Sequence, residues 1–168
     1  SRSNASNWQV YHSALGNTKY LELNNTQIAS TNSARWNDTT PTSSVFTLGT
    51  DDSVNDSSRT YIAYLFATVA GVSKVGSYTG NSSSTQDIDC GFTNGAKMVI
   101  LKQTSHAESW EIYDTTRALV AGNDYRIRLD TTGAQATNSD FIDPLNSGFT
   151  AVADSNFNGR SYIFYAIA

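Results

Sequence analysis

The chain has 168 residues and a formal net charge of −4, long enough to bury roughly 70% of its unfolded surface in one substantial core or two small ones. Its 11 Lys and Arg form no stripe that could neutralise nucleic-acid phosphates, and no apolar run reaches the ~20 residues of a membrane span. Cys90 is the single cysteine, which excludes an intrachain disulfide and a cysteine metal cluster.

Only three Glu stand against twelve Asp, among abundant Ser, Thr and Asn. That balance favours turns and strands over helix interiors. In chain order, short apolar runs recur between polar clusters: WQVY (8–11), YLEL (20–23), SVFTL (44–48), TYIAYLFA (60–67), VGSYT (75–79), DIDCGF (87–92), KMVILK (97–102), WEIY (110–113), YRIRL (125–129), GFTAV (148–152) and SYIFYAIA (161–168). The spacing predicts an all-β protein, an antiparallel β-sandwich of jelly-roll or lectin-like type. YRIRL alternates, with Tyr125, Ile127 and Leu129 on one face and Arg126 and Arg128 on the other, as a half-solvated strand requires. TYIAYLFA and SYIFYAIA lack a polar face and read as central strands covered on both sides. TTRALVAG (115–122) is the one place for a short helix, and NSSSTQ (81–86) reads as a hairpin loop.

The chain also reads as one unit written twice. NWQVY (7–11) matches SWEIY (109–113), LELNNTQIASTNS (21–33) matches IRLDTTGAQATNS (127–139), PTSSVFT (41–47) matches PLNSGFT (144–150), and TYIAYLFA matches SYIFYAIA, in unbroken order. Two tandem related units follow, residues 1–70 and 71–168. MVILK (98–102) precedes WEIY, whereas the first copy begins at Ser1, the counterpart of Gln103. The expectation is that a strand of the first unit lies upstream or is supplied by a partner.

Glycan hydrolysis needs converging carboxylates. Glu108, Glu111 and Asp114 are the nearest set, but alternation along a strand would point successive members to opposite faces. Ser73, in GVSKVG, misses the nucleophile-elbow spacing. His12 and His106 lack a second ligand at metal spacing. Asp51, Asp52 and Asn55 form a lesser calcium candidate without EF-hand spacing. Sugar binding fits better: ARWNDTT (34–40) is longer than its counterpart SDFID (139–143) and carries Trp36, Asn37 and Asp38, one ring to stack on a pyranose and two side chains to bond its hydroxyls. Trp8 and Trp110 hold equivalent strand positions and read as core.

At WQVYHSALGNTKYLELN, WNDTTPTSSVFTLGTDDSVN, TYIAYLFA, GVSKVGSYTGN and IDCGF the sequence closely resembles a repeat domain of tailed-bacteriophage virion structural and tail-fibre proteins, particularly marine ones, with concanavalin A-like or laminin G-like modules. The second unit of that family opens in a pattern that falls here on Gly91-Phe92, Met98 to Leu101, Lys102-Gln103-Thr104, Trp110 and Asp114-Thr115-Thr116-Arg117, while VAGNDYRIRLD matches loosely. The resemblance implies a non-enzymatic virion component without cofactor: the C-terminal module of a tail fibre, spike or head-decorating protein on the particle exterior. Its implied partners are other virion proteins, copies of itself (trimers in fibres) and a host-surface glycan. Two alternatives stand beside it, a carbohydrate-binding lectin-like module and a polysaccharide depolymerase acting through Glu111 or Asp114.

Overall fold

A computed structural model describes the backbone of residues 1–168 and every side chain but that of Asp154. Twelve strands form, in three antiparallel sheets: β1 (Gln9–Val10), β2 (Lys19–Glu22), β3 (Ser30–Thr31), β4 (Ser73–Thr79), β5 (Thr85–Asp89), β6 (Met98–Gln103), β7 (Trp110–Asp114), β8 (Asp124–Arg128), β9 (Ala136–Ser139), β10 (Ile142–Leu145), β11 (Gly148–Val152) and β12 (Ser161–Ile167). A six-stranded sheet, β4-β12-β6-β7-β8-β9, faces a three-stranded one, β10-β11-β5. Between them lies a core that includes Tyr113, Phe149, Ile142, Val99 and Phe164. The predicted sandwich is thus present, built entirely from residues after 70.

SYIFYAIA is the strand at its centre. β12 pairs with β4 along one edge and β6 along the other. Tyr162, Phe164 and Ala166 point into the core, while Ile163 on the opposite face packs with Leu21 and Trp110. The ring of Phe164 lies where a Cβ on Gly76 would be, only 2.3 Å from that position, so the pairing of β4 with β12 requires glycine there.

The first unit builds no sandwich of its own. Its three-stranded meander β1-β2-β3 packs on the outer face of the large sheet through Leu21, Val10, Leu15 and Leu23. Two single helical turns follow, α1 (Ser33–Trp36), capped by Asn32, and α2 (Asp52–Asn55), capped by Asp51. The expected strand SVFTL does not form, and neither does TYIAYLFA: residues 60–67 carry no strand, with Ile62, Tyr64, Leu65 and Phe66 48–75% exposed. The reason is pairing. β12 has a ladder on each edge, while Thr60–Ala67 has no strand beside it among the described residues.

Three further expectations change. Residues 81–86 are not a hairpin loop, because β4 and β5 lie in different sheets and the segment crosses between them. The helix expected over 115–122 is one 3-10 turn, Thr115–Arg117, capped by the Asp114 carboxylate. β8 does alternate, but inverted: Asp124 and Arg126 face the core and Tyr125 is 40% exposed.

Candidate functional site

The inversion of β8 has a chemical cause. Glu111, on β7, sits opposite Arg128 in the ladder, two pairs along from Arg126, which lies opposite Tyr113. Its Oε1 accepts from Arg126 Nε at 2.9 Å and Arg128 Nε at 3.3 Å, and its Oε2 accepts from the Tyr113 hydroxyl. The Arg126 guanidinium also lies over the Phe141 ring, 4.2 Å from its centroid. A buried carboxylate needs such donors, and turning the arginine face outward would strand it. Burial, then the neighbouring Glu111 charge, pushes the Tyr113 hydroxyl well above its ordinary value, so Tyr113 stays a neutral donor.

This cluster borders a cavity of about 180 Å³ at the end of the sandwich where β6 stops and β7 and β12 begin. Gln103, Glu108, Glu111, Arg128, Phe157 and Tyr162 line it, with Ser109, Ser155 and Phe141. Gln103 ends β6 and is 5% exposed. Arg160 donates to its Oε1 at 3.3 Å, while its Nε2 has no hydrogen-bond partner among the described residues. Arg160 also covers the Phe157 ring at 4.3 Å, and Phe157 itself is 43% exposed at the rim. The cavity is therefore lined by carboxylates and a guanidinium beside a half-exposed aromatic ring, with the unpartnered Gln103 amide nitrogen closed off from solvent in its wall.

Two buried groups hold its walls. Lys102 is fully buried, and its ammonium donates to the carbonyls of Glu108 at 2.6 Å and Thr26 at 3.1 Å, tying the rim loop and the meander to β6. Burial pulls this amine down to about 8. Asp124 Oδ2 accepts from the Phe141 and Ile142 amides at 2.8 and 2.9 Å, which sets Phe141 against the cavity. Burial outweighs those amides and pushes the Asp124 carboxyl up to about 6.

The site expected at Trp36, Asn37 and Asp38 is not of this kind. Trp36 is 8% exposed, donates its indole N–H to the Lys19 carbonyl at 2.9 Å and meets Tyr11 edge-on, so it presents no face to a sugar. Asn37 and Asp38 are exposed turn residues with left-handed backbone. At the calcium candidate, Asp51 Oδ1 accepts from Arg35 and the Ser53 amide and Oδ2 from Asn32, while Asn55 donates to the Gly49 carbonyl. The carboxylate is taken up by a cap and an ion pair, and among the described residues no three His, Cys, Asp or Glu converge as metal ligands.

Glu108 and Glu111, expected on opposite faces, both reach the cavity, because Glu108 lies in the loop before β7 and strand alternation does not govern it. Asp114 stands at the far end of β7, capping the 3-10 turn and pairing with Arg117. Trp110 is core, as expected, but Trp8 is 47% exposed. Nothing in the sequence marks Gln103, Phe157 and Tyr162 as a site, although Tyr162 lies in SYIFYAIA. Their one legible signal is Lys102-Gln103-Thr104 at a strand end, where a loop must cover the open side of a sandwich.

The family described as Domain of unknown function (DUF7483) matches residues 1–168. No curated protein and no solved structure matches the chain.

Proposed function

Taking as premise that the chain belongs to this family over residues 1–168, we propose that it is a non-enzymatic module of a bacteriophage virion structural protein. It stands on the particle exterior, in a tail fibre, spike or head decoration, and serves assembly and attachment to the host surface by binding a saccharide. The virion part rests on the sequence resemblance at the repeat motifs. The saccharide part rests on one observation: Gln103, 5% exposed, holds an unpartnered amide donor at a cavity whose rim carries the half-open ring of Phe157. A buried donor without a partner costs about 1–3 kcal/mol, which a ligand oxygen would recover once the Gln103 side chain turns its closed-off amide into the cavity. An aromatic face beside polar groups is what a pyranose, with one apolar face and a rim of hydroxyls, packs against.

The test is binding of the purified chain to host-surface polysaccharide and to a glycan array, alongside Gln103→Leu and Phe157→Ala. Affinity falls about tenfold in Gln103→Leu, the equivalent of one net hydrogen bond. Retention of full affinity by both folded variants, or no glycan binding by the wild type, removes the saccharide reading. Imaging of intact particles with the chain labelled tests the virion reading separately.

A depolymerase is the second reading, favoured by Glu108 and Glu111 sharing the cavity. Against it, Glu111 is engaged by Arg126, Arg128 and Tyr113, whereas glycoside hydrolysis requires one carboxyl free to give a proton and one free to attack or accept. Polysaccharide cleavage that is lost in Glu108→Gln would establish it.

A further inference from the structure

The octapeptide that carries β12, SYIFYAIA, and its counterpart at residues 60–67, TYIAYLFA, share four of eight residues and an apolar character, in opposite circumstances. β12 is paired on both edges and covered on both faces. In the counterpart, the Thr60 carbonyl accepts from Arg2, but among the described residues no backbone-to-backbone hydrogen bond then occurs until Val69 meets Ser73, leaving the Tyr61 to Thr68 amides without a ladder. Side chains tack the ends of the segment down: the Ser73 hydroxyl donates to the Ala67 carbonyl, and Thr68 Oγ1 accepts from the Val75 amide. Phe66 leans on Tyr165 and Tyr64 on Trp8, so the segment lies on the molecule already extended. Trp8, Ile62, Tyr64, Leu65, Phe66 and Val69 are 47–75% exposed along it.

We propose that residues 60–69 form an interface with a second copy of this chain, the two segments pairing antiparallel about a two-fold axis. An apolar, unpaired, extended segment is a template for strand addition. Antiparallel pairing with its own copy satisfies both chains with one isologous contact and closes after two. The available area agrees: six large side chains, each 47–75% exposed, offer on the order of 500 Å² per chain, so two copies would bury roughly 1,000 Å², the lower bound for a specific interface. Charge agrees as well. Residues 60–73 contain no charged side chain in a chain of net charge −4, so two copies meet here without like-charge repulsion. The inference stands on this segment alone and is independent of the saccharide reading.

Sedimentation of the full chain across micromolar concentrations, with hydrogen exchange of the 61–68 amides, tests it. Expected is a monomer–dimer equilibrium in which those amides gain protection as concentration rises. Leu65→Lys and Tyr64→Lys, at the two most exposed positions, should shift the midpoint at least tenfold upward without changing the melting of the sandwich. Single cysteines placed from Ile62 to Phe66 should cross-link only at positions close to the axis, since Cys90 is buried. A wild-type monomer throughout, a dimer indifferent to both lysine variants, or open-ended assembly in place of a dimer would each overturn the proposal.

Discussion

The meanders β1-β2-β3 and β7-β8-β9 share several pairs of matching register, and yet one tryptophan-bearing strand is half open and the other covered. Gln9–Glu22 and Val10–Leu21 of the first fall on Glu111–Arg128 and Ile112–Ile127 of the second, and Tyr20–Ser30 falls on Arg126–Ala136. Leu23 N–H donates to the Trp8 carbonyl as Leu129 N–H does to that of Trp110, both at 2.9 Å. Asn24 and Asp130 accept from the two tryptophan amides, again at 2.9 Å. Even the side-chain pair persists with its roles exchanged: Gln9 donates to Glu22, whereas Arg128 donates to Glu111. Pairing and register are therefore properties of the repeated residues. Burial is not, since Trp110 is 5% exposed between β7 and the first meander while Trp8 is 47% exposed.

That contrast can be broken at several points. Trp110→Ala should be the most costly, about 3–5 kcal/mol by urea unfolding, because it empties the contact between the two meanders and frees the Glu22 carbonyl that its indole N–H satisfies. Trp8→Ala at the matching position should cost under ~1 kcal/mol. Comparable losses would mean that the register, and not the cover, holds the tryptophans. Glu111→Leu leaves the buried Arg126 unpaired and should cost about 3–5 kcal/mol, with Gln9→Leu within roughly 1 kcal/mol of wild type. Asp130→Ala and Asn24→Ala remove the same bond from each tryptophan amide, so each should lower stability by about 1 kcal/mol. Unequal values there would show that the turns are not equivalent.

A separate effect is in the pH profile. Burial raises Asp124 to about 6 from an ordinary 3.8, so the folded state holds the proton more tightly than the unfolded one. Its contribution is complete below 3.8 and is lost as pH rises through 6. Asp124→Asn should therefore gain on wild type between pH 4 and pH 7, read from urea midpoints at the two values. His12 acts with the opposite sign: burial lowers it below 6.5, so its contribution fades as pH falls through that value. The Asp124 effect is accordingly read from the difference between variant and wild type. A difference that does not change with pH would mean that Asp124 is not the buried acid described.

Much of the fold was legible because the period of two survives in short strands. β6, β7, β8, β11 and β12 fall within one or two residues of their apolar runs. The face of β8 was not legible, because alternation tells which residues share a side and not which side is inward. Deciding that took Glu111, seventeen residues away in sequence from Arg128 and opposite it in the sheet. The cavity was hidden for a similar reason, since Gln103 and Glu108 come from one stretch and Phe157 and Tyr162 from another about fifty residues on, and the two meet only where the sheets end. Trp36 misled because a tryptophan in a polar loop looks the same in sequence whether its ring faces outward or, as here, folds in to bond the Lys19 carbonyl.

The sequence by itself determined the all-β class and the places of most strands of the sandwich, since these depend on alternation and on turn residues a few positions apart. Only the tertiary structure decided which octapeptide became a strand. SYIFYAIA and TYIAYLFA have the same local preferences, but a strand is stabilised by ladders on its edges and cover on its faces. β4 and β6 supply those ladders to the one, and no strand of the described chain supplies them to the other.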